Sequence, residues 1–271
     1  MTTPAAVSDA SPMFLEFEHV SVARGLKVVL HDISLRIARG EHLAILGPNG
    51  CGKSTLIKTM TCECYPLAES PHGRVRFRIF GRERWDVFEL RKRLGVVAGD
   101  IPSQRTLHTT GRDVVLSGFF SSSTIWPEME VTPAMIARAD EVIAHLEATH
   151  LAAKPLGEMS AGELRRMLIG RALVHGPEML LIDEPSNALD LAAQSELRQT
   201  LRALARRGIG IVLITHHLAD IPPELERVVM VRQGRIFADG PKGELLTEAR
   251  LSELFGVPVN LACRDGFYHV W

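Results

Sequence analysis

The stretch GPNGCGKST, from Gly47 to Thr55, decides the fold of this 271-residue chain. It follows a short apolar run, HLAIL, and it opens a segment, STLIKTMT, whose pattern predicts a helix. Gly47, Gly50 and Gly52 allow the backbone to curl, so that successive N–H groups point inward at the N-terminus of that helix. The sequence therefore predicts a strand–loop–helix unit that cradles phosphate groups.

Two side chains of this stretch are suited to binding a nucleotide and its Mg²⁺. Lys53 can reach the β- and γ-phosphates of a nucleotide, and the hydroxyl of Ser54 can bind Mg²⁺. The alternative is a glycine-rich turn that binds nothing, but such a match arises by chance in about one chain of this size in a hundred. We therefore predict a nucleotide-binding loop made of Gly47, Pro48, Asn49, Gly50, Cys51, Gly52, Lys53, Ser54 and Thr55.

A second apolar run supplies the acids that this chemistry needs. In MLLIDEP, four apolar residues precede Asp183 and Glu184. We expect Asp183 to hold a magnesium ion through water and Glu184 to polarise the attacking water. His216 follows another apolar run, GIGIVLIT, and ligands of an open parallel sheet lie at the carboxyl ends of its strands. His216 is therefore predicted to face the same site, and His217 to be structural.

Composition narrows the functional class. The formal net charge is −1, whereas a nucleic-acid-binding domain is usually strongly basic, so no nucleic-acid partner is expected. The cysteines are too few for a disulfide framework, and all are expected to be reduced. The N-terminal residues lack a signal-peptide pattern, and the longest apolar runs have only the length of strands. We therefore expect a soluble, cytoplasmic protein. The cysteines are Cys51, Cys62, Cys64 and Cys263.

Taken in order, the motifs resemble those of an ATP-binding cassette (ABC) ATPase. GPNGCGKST corresponds to the Walker A loop, MSAGE to the signature, MLLIDEP to Walker B, SNALD to the D-loop and ITHH to the His switch. No other P-loop class combines these motifs. The resemblance implies an α/β fold: a P-loop NTPase (RecA-like) core with an N-terminal antiparallel β subdomain and an inserted helical subdomain. It implies ATP and Mg²⁺ as ligands, with Glu184 and His216 as catalytic residues.

The resemblance also explains a second anion-binding pattern. MSAGELRR, from Met159 to Arg166, begins a helix with a Ser, small residues and an acid. In this family the signature caps the ATP held by the Walker A loop of another cassette, so two subunits pack head to tail. Ser160 would supply a hydroxyl, and Gly162 bare backbone, to the partner's γ-phosphate. The resemblance thus implies a homodimer.

Several residues depart from the family pattern. The usual signature is LSGGQ, but this chain has Met159, Ala161 and Glu163 in place of Leu, the first Gly and Gln. The methyl of Ala161 is expected to weaken the grip on phosphate. Arg24 aligns with the aromatic residue that stacks on adenine, and its planar guanidinium can stack on a base as well. The Q-loop glutamine is displaced to Gln104, to which we assign the Mg²⁺ and switch role.

Patterns and resemblance divide the chain into five segments. A disordered tail precedes the first part of the ATP-binding core, which carries Walker A. The Q-loop region and helical subdomain follow and end in the signature. The second part of the core carries Walker B, the D-loop and the His switch, and a C-terminal tail ends the chain. The expected bounds are 1–12, 13–99, 100–172, 173–250 and 251–271.

The family's helical subdomain docks an integral-membrane permease, which would hold this protein at the inner face of the cell membrane. The segment VVLSGFFSSSTIW has Phe119, Phe120 and Trp126 among small polar residues. These aromatic residues either belong to the core of the subdomain or line an exposed groove for a partner helix.

The cargo and the direction of transport stay open. LSGFF with the displaced Q-loop is similar to molybdate-transport and photorepair ATPases, and the C-terminal residues are similar to iron–siderophore and cobalamin importer ATPases. Both similarities favour a metal or metal-chelate substrate. The alternative is a soluble ABC-type ATPase of repair or translation, without a permease, but low net charge and the absence of a heptad run argue against it. A P-loop kinase or GTPase would leave the signature, SNALD and His216 without a purpose.

Overall fold

A three-stranded antiparallel sheet forms the N-terminal part of the computed structural model, which describes residues 12–98 and 106–271. Its strands are β1 (Met13–Arg24), β2 (Lys27–Ala38) and β4 (Arg76–Ile79), and β1 lies in the middle. Large apolar side chains of β1, such as Phe14 and Phe17, are fully buried. The N-terminal antiparallel sheet that the family resemblance implied is confirmed.

The second sheet has six strands. Three of them are formed by the apolar runs that the sequence motifs contain or follow, HLAIL, MLLID and GIVLIT. Four central strands pair in parallel, and they are almost wholly apolar because helices or the first sheet cover both faces. Only the last strand pairs antiparallel. In spatial order the strands are β5 (Leu94–Val97), β6 (Met179–Asp183), β7 (Gly210–Thr215), β3 (His42–Leu46), β8 (Arg227–Arg232) and β9 (Arg235–Pro241).

The register places three functional strand ends side by side. Leu46 at the end of β3 lies opposite Thr215 of β7, and Asp183 at the end of β6 lies opposite Ile214. The residues that follow these strands therefore meet at one edge of the sheet, as the sequence predicted.

Helices cover the sheet and build the inserted subdomain. The core helices are α1 (Lys53–Met60), α2 (Val87–Arg93), α6 (Leu191–Arg206), α7 (Lys242–Leu245) and α8 (Glu248–Phe255). The subdomain consists of α3 (Gly111–Ser117), α4 (Pro133–His145) and α5 (Ala161–Leu173), which pack on one another. Each subdomain helix is capped by the hydroxyl of the residue before it.

The C-terminal residues form ordered structure. β10 (Leu261–Arg264) and β11 (Phe267–Val270) pair as a hairpin against the turn that follows β7. The segment bounds drawn at 172 and 250 fall inside α5 and α8. All four cysteines are free thiols. In the described part of the chain, no helix is long and apolar enough to cross a bilayer.

Candidate functional site

The glycine-rich loop between β3 and α1 has the curled backbone that the sequence predicted. Gly50 and Gly52 have φ of +77° and +111°, which side chains rarely tolerate. A Cβ on Gly47 would lie 2.3 Å from the carbonyl oxygen of Val231 and 2.7 Å from Sγ of Cys51. These positions require glycine, because both the dihedral angles and the close approach exclude a larger residue.

Lys53 places its charge inside this loop. Its Nζ donates to the carbonyl oxygens of Gly47 at 2.7 Å and Pro48 at 3.2 Å, and the side chain is only 6% exposed. The same nitrogen lies 3.4 Å from Oε1 of Glu184. Ser54 is exposed in the first turn of α1. A buried cation, a helix N-terminus and a free hydroxyl fit the phosphates of a nucleotide.

A turn from the far end of the chain supports the loop from outside. The N–H of Gly234, between β8 and β9, donates to the carbonyl oxygen of Cys51 at 2.8 Å. The carbonyl oxygen of Gly234 accepts from the N–H of His31 in β2, also at 2.8 Å. The glycine thus joins the phosphate loop to the first sheet.

Glu184 lies where the loop meets the ends of β6 and β7. Its backbone has φ of +43°, and its N–H donates to the carbonyl oxygen of Ile214 at 2.8 Å. Oε2 accepts from Nδ2 of Asn187 at 2.8 Å and lies 2.9 Å from Nδ1 of His216, although that ring is not turned for a straight hydrogen bond. Burial alone would raise the pKa of Glu184, but the contacts with Asn187 and His216 and the charge of Lys53 outweigh it and lower the pKa.

Asp183 offers an oxygen ligand at the end of β6, where the charge of Lys53 acts on it. Burial, and then the neighbouring carboxylate of Glu184, raise the pKa of Asp183, while the charges of Lys53 and Arg165 oppose them. A divalent cation would relieve this crowding of negative charge, and carboxylate and hydroxyl oxygens suit Mg²⁺. No complete cluster of three His, Cys, Asp or Glu ligands occurs among the described residues.

A buried polar network lies behind His216. Oδ2 of Asp220, a residue only 3% exposed, accepts hydroxyl hydrogen bonds from Ser186 at 2.5 Å and Thr215 at 3.0 Å. Oγ1 of Thr215 accepts the N–H of His217 at 2.9 Å, and the His216 and His217 rings lie 3.9 Å apart between centroids. The His217 side chain is exposed, and its structural role stays a prediction.

The signature lies at the start of α5. Oγ of Ser160 accepts the N–H of Glu163, and the Glu163 carboxylate accepts the N–H of Ser160 at 2.7 Å. Nζ of Lys154 donates to both oxygens of Glu163, and this contact lowers the pKa of Glu163. A Cβ on Gly162 would lie 2.7 Å from Cβ of Ala193 in α6, so close helix packing also requires this glycine.

The site residues predicted from the sequence fall into separate groups. Lys53, Glu184 and His216 form one contiguous set, whereas Ser160 makes no hydrogen bond or ion pair with them in the described structure. Arg24 is exposed where β1 turns into β2 and has no such partner among the residues described. Gln104 lies outside the described residues. Within one chain, the structure therefore brings together only some of the predicted site residues.

The sequence reasoning missed several contributing residues. Asn187 lies within the predicted D-loop motif, whose spacing could have indicated a role. Asp220 and Gly234 follow apolar strands in LADIPP and VRQGRIF, where an acid or a glycine is equally typical of an ordinary turn. Their roles depend on partners far away in the sequence, and no local pattern indicates them.

Comparison with known proteins shows the family. Residues 30–187 match the family model described as ABC transporter. The hemin import ATP-binding protein HmuV of Rhodococcus jostii is 31% identical over 250 residues, covering 91% of this chain and 81% of the relative. The cobalt import ATP-binding protein CbiO of Rhodobacter capsulatus is 35% identical over 221 residues, covering 81% of this chain and 75% of the relative.

A solved structure shares the fold. It is described as a metal-chelate type ABC transporter in an inward-facing conformation, and one of its chains superposes with a TM-score of 0.77 at 23% identity. The match covers 96% of this chain and 97% of that one. At this identity the likeness shows the fold alone.

Proposed function

The chain belongs to the ABC transporter family, and we propose that it hydrolyses Mg-ATP between two copies of itself to drive uptake of a metal or metal chelate. One observation carries the catalytic assignment. The carboxylate of Glu184 is in contact with Lys53 of the phosphate loop, with Asn187 and with His216. A carboxylate held at the edge of a phosphate cradle can orient a water molecule and accept its proton.

The residues have distinct roles in this proposal. Lys53 and the N–H groups of the loop bind the phosphates, and Glu184 is the general base, because its carboxylate lies beside Lys53 of the loop. His216 orients Glu184. Ser54 and Asp183, with Gln104 by sequence position, would hold Mg²⁺. When bound, this ion neutralises charge that develops on the phosphate oxygens.

The separation of Ser160 from Lys53 supports a head-to-tail dimer. Ser160 is exposed at a helix N-terminus. A second copy would bring this helix start onto the nucleotide held by the first. Arg24 is exposed and able to stack on the base.

A permease-docking role is proposed for a groove between the core and the helical subdomain. The groove has a volume of about 190 Å³. Its lining includes Val87 and Arg91 of α2, Gly118 and Ser121 after α3, and His175 after α5. Binding there would hold the protein at the inner face of the membrane. The metal or metal-chelate cargo is proposed because the hemin and cobalt import proteins are among the relatives.

ATP binding and hydrolysis by the purified chain test the central proposal. We expect Lys53→Ala to abolish ATP binding in calorimetry, because the loop loses its buried cation. Glu184→Gln should still bind ATP but hydrolyse it on the order of 10²-fold to 10⁴-fold more slowly. Lys58→Ala, in the same helix as Lys53, is the matched control and should behave like wild type. Wild-type affinity in Lys53→Ala, or unchanged turnover in Glu184→Gln, would refute these roles.

A further inference from the structure

Asp220 is a buried carboxylate that the proposed chemistry does not use directly. It lies in the turn Leu218–Asp220 after β7 and is 3% exposed. No cationic side chain in the described parts of the chain forms an ion pair with it. Its partners are two hydroxyl groups, Oγ of Ser186 and Oγ1 of Thr215, which both donate to Oδ2. Burying a carboxylate without a cationic partner costs free energy of folding. We therefore looked for a role of Asp220 beyond packing.

The two hydroxyl donors belong to different loops that meet at Glu184. Ser186 immediately precedes Asn187, whose amide donates to Oε2 of Glu184 at 2.8 Å. Thr215 immediately precedes His216, whose Nδ1 lies 2.9 Å from the same oxygen. Asp220 therefore links the backbone positions just before both groups that contact Oε2.

Thr215 extends the link toward the His216 ring. Its Oγ1 accepts the N–H of His217, and the His217 ring packs against that of His216. A shift of Thr215 would thus move His216 in two ways, through the chain and through the neighbouring ring.

We infer that Asp220 is a positioning residue, which fixes the spacing of the D-loop and His-switch loops so that Asn187 and His216 hold Glu184 in its catalytic orientation. This inference rests on the proposed function. Asp220 itself contacts neither Glu184 nor Lys53. Its removal should therefore disturb turnover and leave ATP binding to the phosphate loop intact.

Steady-state hydrolysis of Mg-ATP by the full chain tests the inference. We expect Asp220→Ala to lower kcat on the order of 10-fold to 100-fold, the effect of misplacing a catalytic group by about 1 Å, with KM nearly unchanged. Asp220→Asn should recover most of the kcat, because its amide oxygen can accept both hydroxyl hydrogen bonds. Ser186→Ala should lower kcat less than Asp220→Ala, and should lower it little further in the Asp220→Ala background.

Ser117→Ala is the matched control, because Ser117 is also fully buried and its hydroxyl donates one hydrogen bond, to the carbonyl oxygen of Val114. It should reduce thermal stability without lowering kcat. Wild-type kcat in both Asp220→Ala and Ser186→Ala, or an equal loss in Ser117→Ala, would overturn the inference. If Asp220→Ala does not fold, wild-type kcat in Ser186→Ala alone overturns it. A wild-type chain without ATPase activity would refute the proposed function, and this inference with it.

Discussion

Single residues far from the motifs shape the nucleotide loop, and Gly234 is the clearest case. It has φ of +72°, and a Cβ there would lie 2.0 Å from the carbonyl oxygen of Val29 and 3.0 Å from Cδ2 of His31. Only glycine allows this turn to reach both the loop and β2. The geometry of the phosphate cradle therefore depends on a residue outside Walker A.

We predict that Gly234→Ala weakens ATP binding by about tenfold, roughly 1.4 kcal/mol. The new methyl must displace the Val29 carbonyl, and the hydrogen bond to Cys51 is lost with it. Calorimetry with ATP and urea denaturation measure the two effects. Gly208→Ala is the matched control, because Gly208 has φ of +82° but a Cβ there would meet nothing within 4 Å. It should lose about 1–2 kcal/mol of stability to backbone strain, yet bind ATP normally. Equal affinity in both variants contradicts the prediction.

Sequence patterns predicted the site residues that lie in short, contiguous motifs. Lys53 and Glu184 stand in short motifs at strand ends, and the structure brings them within 3.4 Å. Asp220 and Ser186 are 34 residues apart, and only the pairing of β6 with β7 brings them together. No local sequence pattern encodes such a contact. The motif residues could therefore be predicted from the sequence, whereas the supporting residues could not.

At the scale of elements, helix α5 explains one departure from the family pattern. Glu163 replaces the usual glutamine of the signature, and it pairs with Lys154 while completing the capping box with Ser160. The acid thus anchors the start of the helix to the preceding segment. The Glu–Lys pair holds in place the helix end that is proposed to meet the partner's nucleotide.

We predict a pH-dependent stability difference between wild type and Glu163→Gln. Because the folded-state pKa of Glu163 is lowered, its ion pair stabilises the fold above the ordinary pKa of 4.5, and this contribution is lost as the pH falls through the lowered value. At neutral pH the variant should be less stable by about 0.5 kcal/mol, since the pair is partly exposed. Thermal unfolding between acidic and neutral pH measures the difference. Lys154→Met should show the same trend, and a pH-independent difference would contradict the prediction.

The helical subdomain contains elements whose bounds and environments local sequence does not encode. The apolar periodicity from Pro133 to His150 predicts one helix, but α4 ends at His145, and Glu147 adopts a left-handed conformation with φ of +55°. Two aromatic residues after α3 lie in different environments. Phe119 packs against the core, and its ring centroid lies 5.2 Å from that of His175, whereas Trp126 is 52% exposed. Composition alone could not assign these two aromatic residues to different environments.

For the whole molecule, the family and the fold predicted from the motifs are confirmed, and they lead to a prediction about assembly. Glu184→Gln should be a monomer without nucleotide and a dimer with Mg-ATP, because unhydrolysed ATP keeps both half-sites together. Adding Ser160→Arg should return it to monomer while each chain still binds ATP, since a cation and bulk enter the interface. Size-exclusion chromatography with light scattering measures both states.

An arginine substitution at a second exposed serine is the control for Ser160→Arg. Ser123→Arg places the same side chain at another exposed serine of the helical subdomain and should leave the dimer intact. A Glu184→Gln protein that stays monomeric in saturating Mg-ATP, with and without the permease, would contradict the trans role of Ser160.

Recovery of the protein with membranes tests whether a permease docks at the proposed groove. We predict that Val87→Glu detaches the protein from membranes of its source cells but preserves its soluble ATPase activity, because the charge enters an exposed groove rather than the core. Val257→Glu is the control at another exposed valine, outside the groove, and should remain membrane-bound. Phe119→Ser should instead lower the melting temperature. Recovery of Val87→Glu with membranes at the wild-type level would exclude docking there.

The position of β3 in its sheet also sets an order of events during synthesis. β3 leads into the phosphate loop, yet its neighbours are β7 and β8, which begin only at Gly210 and Arg227. A nascent chain that has emerged as far as Walker B contains every residue of the loop but neither strand that flanks β3. Pairing between such distant segments forms late and leaves apolar strand edges open until it does. We therefore expect ATP to bind only after β7 and β8 have been synthesised, and a chain stalled on the ribosome before β8 to leave one apolar edge of β3 unpaired.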